Sequence, residues 1–231
     1  MTDISTPDGR PRLKVCCIAS VEEARLAIRH GADAVGLVST MPSGPGVIPD
    51  DRIAEIAAAI PPRISIFLLT SNRQVRAIVG QQQRFGVDTI QLCDGLPPAA
   101  LRELRSLMPK VSIVQVIHVV GDGALDEARS AAADVDALLL DSGNPSKTVK
   151  ELGGTGRTHD WTLSRAIRDE VDIPVWLAGG LTPDNVAEAV RRVRPFGVDV
   201  CSGLRIDGHL DEPQLLRFVR NLDIEFMAPS N

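Results

Sequence analysis

Pro174-Val175-Trp176-Leu177-Ala178-Gly179-Gly180-Leu181-Thr182-Pro183-Asp184 holds a complete strand, turn and helix start in eleven residues. Its first half is apolar on both sides of the two-residue alternation, as expected of a strand covered outside by helices and packed inside by side chains. Two glycines then turn the chain. Thr182-Pro183-Asp184 follows as a helix start: an N-cap hydroxyl, a proline whose missing N–H costs nothing in the first turn, and an acid near the positive end of the helix dipole. Strand, turn and helix together make one βα unit.

Working outward, the same unit recurs along the chain. Strands are expected over 13–18, 34–38, 64–69, 89–93, 111–119, 137–141, 174–178 and 198–201, with helices over 21–30, 50–60, 73–85, 98–108, 123–135, 161–171, 183–193 and 212–222. Eight regular repeats, with no linker rich in Gly, Pro or Ser between them, favour closure into a single (β/α)8 TIM barrel over an open sheet. The 231 residues are slightly short of the roughly 250 such a barrel usually takes. The barrel is expected over 13–226, preceded by a flexible leader over 1–12 and followed by a tail over 227–231. The two longest loops, 39–49 and 142–160, follow the second and sixth strands on the face where such barrels carry their active sites, and read as lids.

Composition excludes several classes. Hydrophobic residues at 44% and charged residues at 24% are globular proportions, and no apolar run approaches the roughly 18 residues a membrane span needs. A net charge of −5 without a Lys/Arg cluster argues against a nucleic-acid partner. Four scattered cysteines make neither a disulfide framework nor a zinc motif and point to a reducing, cytoplasmic setting. A small metabolite is the expected partner, bound by a monomer or a homodimer.

Gly179 and Gly180 end the seventh strand, and Ser202 and Gly203 follow the eighth. Either turn alone is as readily a tight βα connection as a ligand site. Side by side they suggest a phosphate cradle, because glycine lets backbone N–H groups approach an anion. Asp141 ends the run Ala137-Leu138-Leu139-Leu140, where one-sided desolvation suits a carboxyl for general acid work, with capping of the next loop as the plainer alternative. Cys16 ends the first strand two residues after Lys14, on the same face. A thiol there can act as base or nucleophile, although a cysteine on a barrel strand is often a small buried hydrophobe, the reading kept for Cys17. His118, ending the fifth strand, is a candidate lining residue; His30, His159 and His209 carry no assigned role. Convergence of Cys16, Cys93 and Cys201 on a metal matches no ligand spacing.

Taken together, Lys14-Val15-Cys16, Gly31-Ala32-Asp33-Ala34-Val35-Gly36, Gln91-Leu92, Leu138-Leu139-Leu140-Asp141-Ser142, Leu152-Gly153-Gly154-Thr155-Gly156-Arg157-Thr158-His159-Asp160-Trp161, Leu177 to Val186 and Arg194 to Val200 resemble the phosphoribosylanthranilate isomerase family of tryptophan biosynthesis. The resemblance implies an Amadori rearrangement of a small phosphorylated sugar-amine. Asp141 is the implied general acid and Cys16 the implied general base. Gly179, Gly180, Ser202 and Gly203 are the implied phosphate site, and Lys14, Cys93, His118, Gly154 and Arg205 are expected as further substrate-lining residues. It implies no metal and no cofactor. The departures fall around the amine. Cys17 stands where the family usually has glycine, and Gly44-Pro45-Gly46 replaces a Ser-Pro-Arg stretch whose arginine meets the anthranilate carboxylate. Cys93 stands for a histidine, Cys201 for a serine and Arg205 for an acid. They leave open an isomerase for a different phosphoribosyl amine, or a non-catalytic phosphosugar-binding barrel.

Overall fold

The computed structural model describes residues 9–42, 44–121, 123–143, 152 and 156–227. Eight parallel strands, β1 (Arg12–Val15), β2 (Ala34–Val38), β3 (Ser65–Thr70), β4 (Thr89–Leu92), β5 (Ser112–His118), β6 (Ala137–Asp141), β7 (Val175–Leu177) and β8 (Gly197–Val200), pair in chain order and close, β8 returning to β1. The helices α1 (Val21–Arg29), α2 (Asp50–Ala59), α3 (Val75–Phe85), α4 (Pro98–Leu107), α5 (Gly123–Ala132), α6 (Trp161–Glu170), α7 (Val186–Val193) and α8 (Glu212–Met227) follow successive strands, completing the (β/α)8 TIM barrel. The expected leader and tail lie largely outside the described residues.

Alternation along each strand sorts its side chains between two cores. Leu13, Val15, Ile90, Leu92, Leu138, Leu140, Val198 and Val200 pack outward against the helices, each such burial worth roughly 1.5–3 kcal/mol. Cys16, Phe67, Cys93, Val114, Val116, Ala137, Leu139 and Trp176 belong to the inner core. Trp176 fits there because β8 offers Gly197 as its register partner; a Cβ on Gly197 would lie 2.5 Å from the indole. Phe67 and Phe196 meet Trp176 edge-on, at 5.5 and 5.3 Å between ring centroids. The same alternation turns Lys14, Gln91, Asp141 and Asp199 inward, so polar groups gather inside and toward the C-terminal mouth.

Of the local details that differ from the expected pattern, three bear on the barrel mouth. β1 stops at Val15 because Cys17 turns to a left-handed φ of 59° and breaks the strand. α7 starts at Val186, three residues later than the Thr182 cap predicts. The Asn185 side chain accepts from the Thr182 N–H at 2.8 Å and donates to the Gly180 carbonyl at 2.9 Å, which commits that segment to a braced turn. After β8 the chain forms a 3₁₀ turn (Ser202–Leu204) and a hairpin of β9 (Arg205–Ile206) with β10 (His209–Leu210), closed by Asp207 and Gly208 at positive φ.

Candidate active site

One cavity at the C-terminal mouth is lined by Cys16 and Cys17 after β1, Gln91 of β4, Asp141 of β6, Gly179 and Gly180 after β7, Asp199 of β8, and Ser202 beyond it. Met41, Gly44, Pro45, Leu152 and Gly156 form its outer wall. Cys16 and Asp141, 125 positions apart in the numbering of the chain, thus face the same space.

Beneath Cys16 lies a charged network that the sequence reading did not assemble. The β1–β8 register sets Lys14 opposite Asp199. The Lys14 ammonium, with 0% of its side chain exposed, donates to Asp199 Oδ2 at 2.7 Å and to Gln91 Oε1 at 2.8 Å, and lies 3.7 Å from Cys16 Sγ. Its three donors are thereby all engaged, and the Phe67 ring lies 4.9 Å away. Burial alone would lower the Lys14 pKa, but Asp199 and Cys16 more than offset it and hold the group above its ordinary range. Burial pushes the Asp199 carboxyl up, and Lys14 opposes that shift. Gln91 and Asp199 were detectable as lone polar residues inside apolar strands; their common partner was not.

Asp141 is buried, and its Oδ1 accepts from the Ser142 N–H at 2.8 Å, so the loop-capping geometry coexists with exposure to the cavity. Burial raises its carboxyl pKa, with the Ser142 N–H and His118 pulling the other way. Room for the Cys16 sulfur comes from Gly36 of β2, where a Cβ would lie 2.7 Å from Sγ. The glycines of the seventh strand turn have a packing cause of their own. Both have positive φ; a Cβ on Gly179 would approach His159 Nδ1 and the Ser142 N at 2.9 Å, and one on Gly180 would come within 2.5 Å of the Arg157 backbone. Gly203 likewise abuts the Leu181 carbonyl.

Four of the expected lining residues stand elsewhere. Lys14 lies below the cavity, since its ammonium sits beside Asp199 of the neighbouring strand β8 and reaches across the interior to Gln91 of β4. Cys93 is 1% exposed inside the barrel, where burial pushes its thiol up to about 12. The buried His118 places Nε2 3.0 Å from the Cys93 carbonyl. Arg205 turns away to pair with Glu23 and the carbonyls of Cys16 and Cys17. Gly154 lies outside the described residues. No group of three or more His, Cys, Asp or Glu among the described residues is placed to hold a metal. His159, given no role from sequence, packs behind Gly179 with Nε2 2.7 Å from Ser164 Oγ, and burial lowers its pKa to about 4.

At position 46, where the resemblance leads one to expect arginine, Gly46 adopts φ 77° and its missing side chain would overlap Cys17. The Cys17 thiol points to the Pro45 carbonyl at 3.6 Å. Hydrogen bonds to the sulfurs of Cys16 and Cys201, together with burial, push that thiol well up.

A barrel whose mouth joins a thiol, a buried carboxyl and glycine turns has the layout of a small-molecule enzyme of this fold. Comparison specifies the family. Residues 13–221 match the family described as N-(5′-phosphoribosyl)anthranilate (PRA) isomerase. The chain is 38% identical over 222 residues to N-(5′-phosphoribosyl)anthranilate isomerase 2 of Methanosarcina mazei, covering 95% of this chain and 97% of the relative. With the Haloferax volcanii isomerase it shares 40% identity over 207 residues, 89% of this chain and 90% of that one. The crystal structure of the Thermotoga maritima enzyme superposes with a TM-score of 0.80 at 28% identity, covering 92% of this chain and 98% of that chain. The chain belongs to the N-(5′-phosphoribosyl)anthranilate isomerase family, intramolecular isomerases that carry out an Amadori rearrangement in tryptophan biosynthesis.

Proposed function

We propose that this chain converts N-(5′-phosphoribosyl)anthranilate to 1-(o-carboxyphenylamino)-1-deoxyribulose 5-phosphate, with Asp141 as general acid and Cys16 as general base. The observation that carries the reading is the shared cavity of Cys16, Asp141, Gly179, Gly180 and Ser202. Asp141 protonates the ribose ring oxygen, the C1′–O4′ bond opens, and a Schiff base forms with the amine. Deprotonated Cys16 takes the proton from C2′, giving an enolamine that tautomerises to the C2′ ketone with a proton added at C1′. Atoms and electrons balance within the substrate, and the two residues supply only proton transfers. The raised pKa of Asp141 fits a donor, and the Lys14 ammonium 3.7 Å from the Cys16 sulfur supplies a positive charge beside the negative one a thiolate base must carry.

The glycine turns of Gly179, Gly180 and Gly203, with Ser202, are the proposed phosphate site. A related crystal structure, 26% identical with a TM-score of 0.77, holds reduced 1-(o-carboxyphenylamino)-1-deoxyribulose 5-phosphate, which supports the substrate class. The reading includes a cytoplasmic protein, monomeric or homodimeric, that needs neither metal nor cofactor. Four free cysteines agree with a reducing setting, and no helix among the described residues is long and apolar enough to cross a membrane.

The Cys17–Gly46 packing favours a second reading in which the amine differs from anthranilate. Complementation of a tryptophan auxotroph lacking this isomerase tests the first reading. Growth supports it. Failure to grow, with turnover of another N-(5′-phosphoribosyl) amine in a substrate panel, establishes the second; binding of ribose phosphates without any turnover would overturn both.

A further inference from the structure

The β1–α1 turn carries Cys16, yet its conformation is not one its sequence favours. Cys17 sits at φ 59°, in the left-handed region that suits glycine and strains a residue with a Cβ. Something must hold the turn there, and one side chain grips it from behind. Arg205 of β9 donates through Nη2 to the Cys17 carbonyl, and to the Cys16 carbonyl at 3.4 Å. The same guanidinium holds both Glu23 carboxylate oxygens, each at 3.1 Å, and donates from Nη1 to the Gly208 carbonyl at 2.9 Å.

Glu23, in the first turn of α1, ties the knot. Its Oε2 accepts from the Ala19 N–H at 3.0 Å, and its Oε1 accepts from the Leu210 N–H of β10 at 3.0 Å. Side-chain exposures of 10% for Arg205 and 13% for Glu23 set this pair apart from a solvated surface bridge. The two terminal nitrogens of a planar guanidinium meet these acceptors together, which a lysine does not do. On this hairpin Leu210 packs into the outer core while Ile206 is 51% exposed, and the polar knot ties the strand of Arg205 to the β1–α1 turn.

We propose that Arg205, braced by Glu23, is a positioning residue: it fixes the carbonyls of Cys16 and Cys17, holds Cys17 left-handed, and so aims the Cys16 sulfur at the cavity shared with Asp141. The inference rests on the reading of Cys16 as the base. It also gives Cys17 and Arg205 a joint meaning. A glycine in place of Cys17 would adopt that φ without strain, so the clamp has strain to oppose because Cys17 is there.

The test is a kinetic cycle on the full-length enzyme with N-(5′-phosphoribosyl)anthranilate. Arg205→Met is expected to lower kcat on the order of 10- to 100-fold with KM within about 3-fold, the scale of an ångström-level misplacement of a catalytic group. Glu23→Gln should lower it less, and Arg205→Lys should restore little. In a Cys17→Gly background the same Arg205→Met change should cost less than half as much on a logarithmic scale. Circular dichroism and titration of folded protein correct each kcat for unfolding, and Glu23→Gln carries the test if Arg205→Met does not fold. Unchanged kcat per folded molecule, or an Arg205→Met effect equally large in the Cys17→Gly background, overturns the proposal. If Cys16→Ala itself leaves turnover intact, the base assignment has failed; if Cys16→Ala abolishes turnover while the clamp variants keep theirs, only the clamp has failed.

Discussion

Replacing Lys14 with methionine probes the network under the site. The substitution keeps an unbranched side chain of similar reach but removes the ammonium from between Asp199 Oδ2 at 2.7 Å, Gln91 Oε1 at 2.8 Å and Cys16 Sγ at 3.7 Å. Asp199 Oδ1 already has no hydrogen-bond partner among the described residues, so Lys14→Met leaves a carboxylate in the barrel interior without its cation. Breaking a buried pair from one side costs about 3–5 kcal/mol. At the 2–4 °C per kcal/mol typical of chains this size, the midpoint should fall by roughly 6–20 °C. The loss should also depend on pH in a fixed sense. Without Lys14 the Asp199 pKa rises further above its unfolded value, so the folded state binds a proton the unfolded state does not, and the deficit shrinks as pH falls through that raised pKa. Urea unfolding at pH 7 and pH 5, with Asp199→Asn and the double variant, supplies the assay. The double variant should be more stable than the summed single losses predict, by about 1–3 kcal/mol. A Lys14→Met loss below about 1 kcal/mol, or strict additivity, would refute the claim that the pair is a desolvated unit.

Other consequences are equally measurable. Asp141→Asn should slow turnover by at least about 10²-fold yet raise stability at pH 7, and the gain should fade as pH drops toward 4, because burial raises the native carboxyl pKa and makes its charged form costly when folded. His159 should destabilise the fold in acid: with its pKa lowered from 6.5 to about 4, the neutral ring is favoured when folded, and stability should fall by up to about 3 kcal/mol as pH drops from 6.5 to 4, a loss that His159→Gln removes in urea titrations. Gly180→Ala should cost at least about 2 kcal/mol in the same assay, since it places a Cβ at φ 64° within 2.5 Å of the Arg157 backbone; a neutral result would contradict the packing of the seventh strand turn.

Much of this architecture was legible in the chain because the barrel repeats one local rule. Continuous apolar runs mark strands covered on both faces, and β2 and β6 fall at the predicted residues, Ala34–Val38 and Ala137–Asp141. The same pattern marked the C-terminal ends of the strands, which brings Cys16, Asp141, Gly179, Gly180 and Ser202 to one mouth. It could not tell how far a long side chain reaches. Lys14 was expected to line the cavity and instead crosses the interior to Gln91 of β4 while pairing with Asp199 of the adjacent strand β8. Arg205 was expected at the substrate because only its place after the eighth strand was visible, whereas its direction depends on Glu23. Asp207-Gly208 is a strong two-residue hairpin signal in the chain, and it closes β9 against β10. The late start of α7 was not readable from cap preferences, because Asn185 competes with Thr182 through two side-chain bonds.

The most direct measurement on the central claim is the single-turnover rate of isomerisation of N-(5′-phosphoribosyl)anthranilate by the unaltered protein, Cys16→Ala, Asp141→Asn and the double variant. Each single change should slow the chemical step by at least about 10²-fold with substrate affinity nearly kept, and the double variant should lose far less than the product of the two, as groups acting on one sugar do. A rate within a few-fold of normal for either single variant would contradict the account.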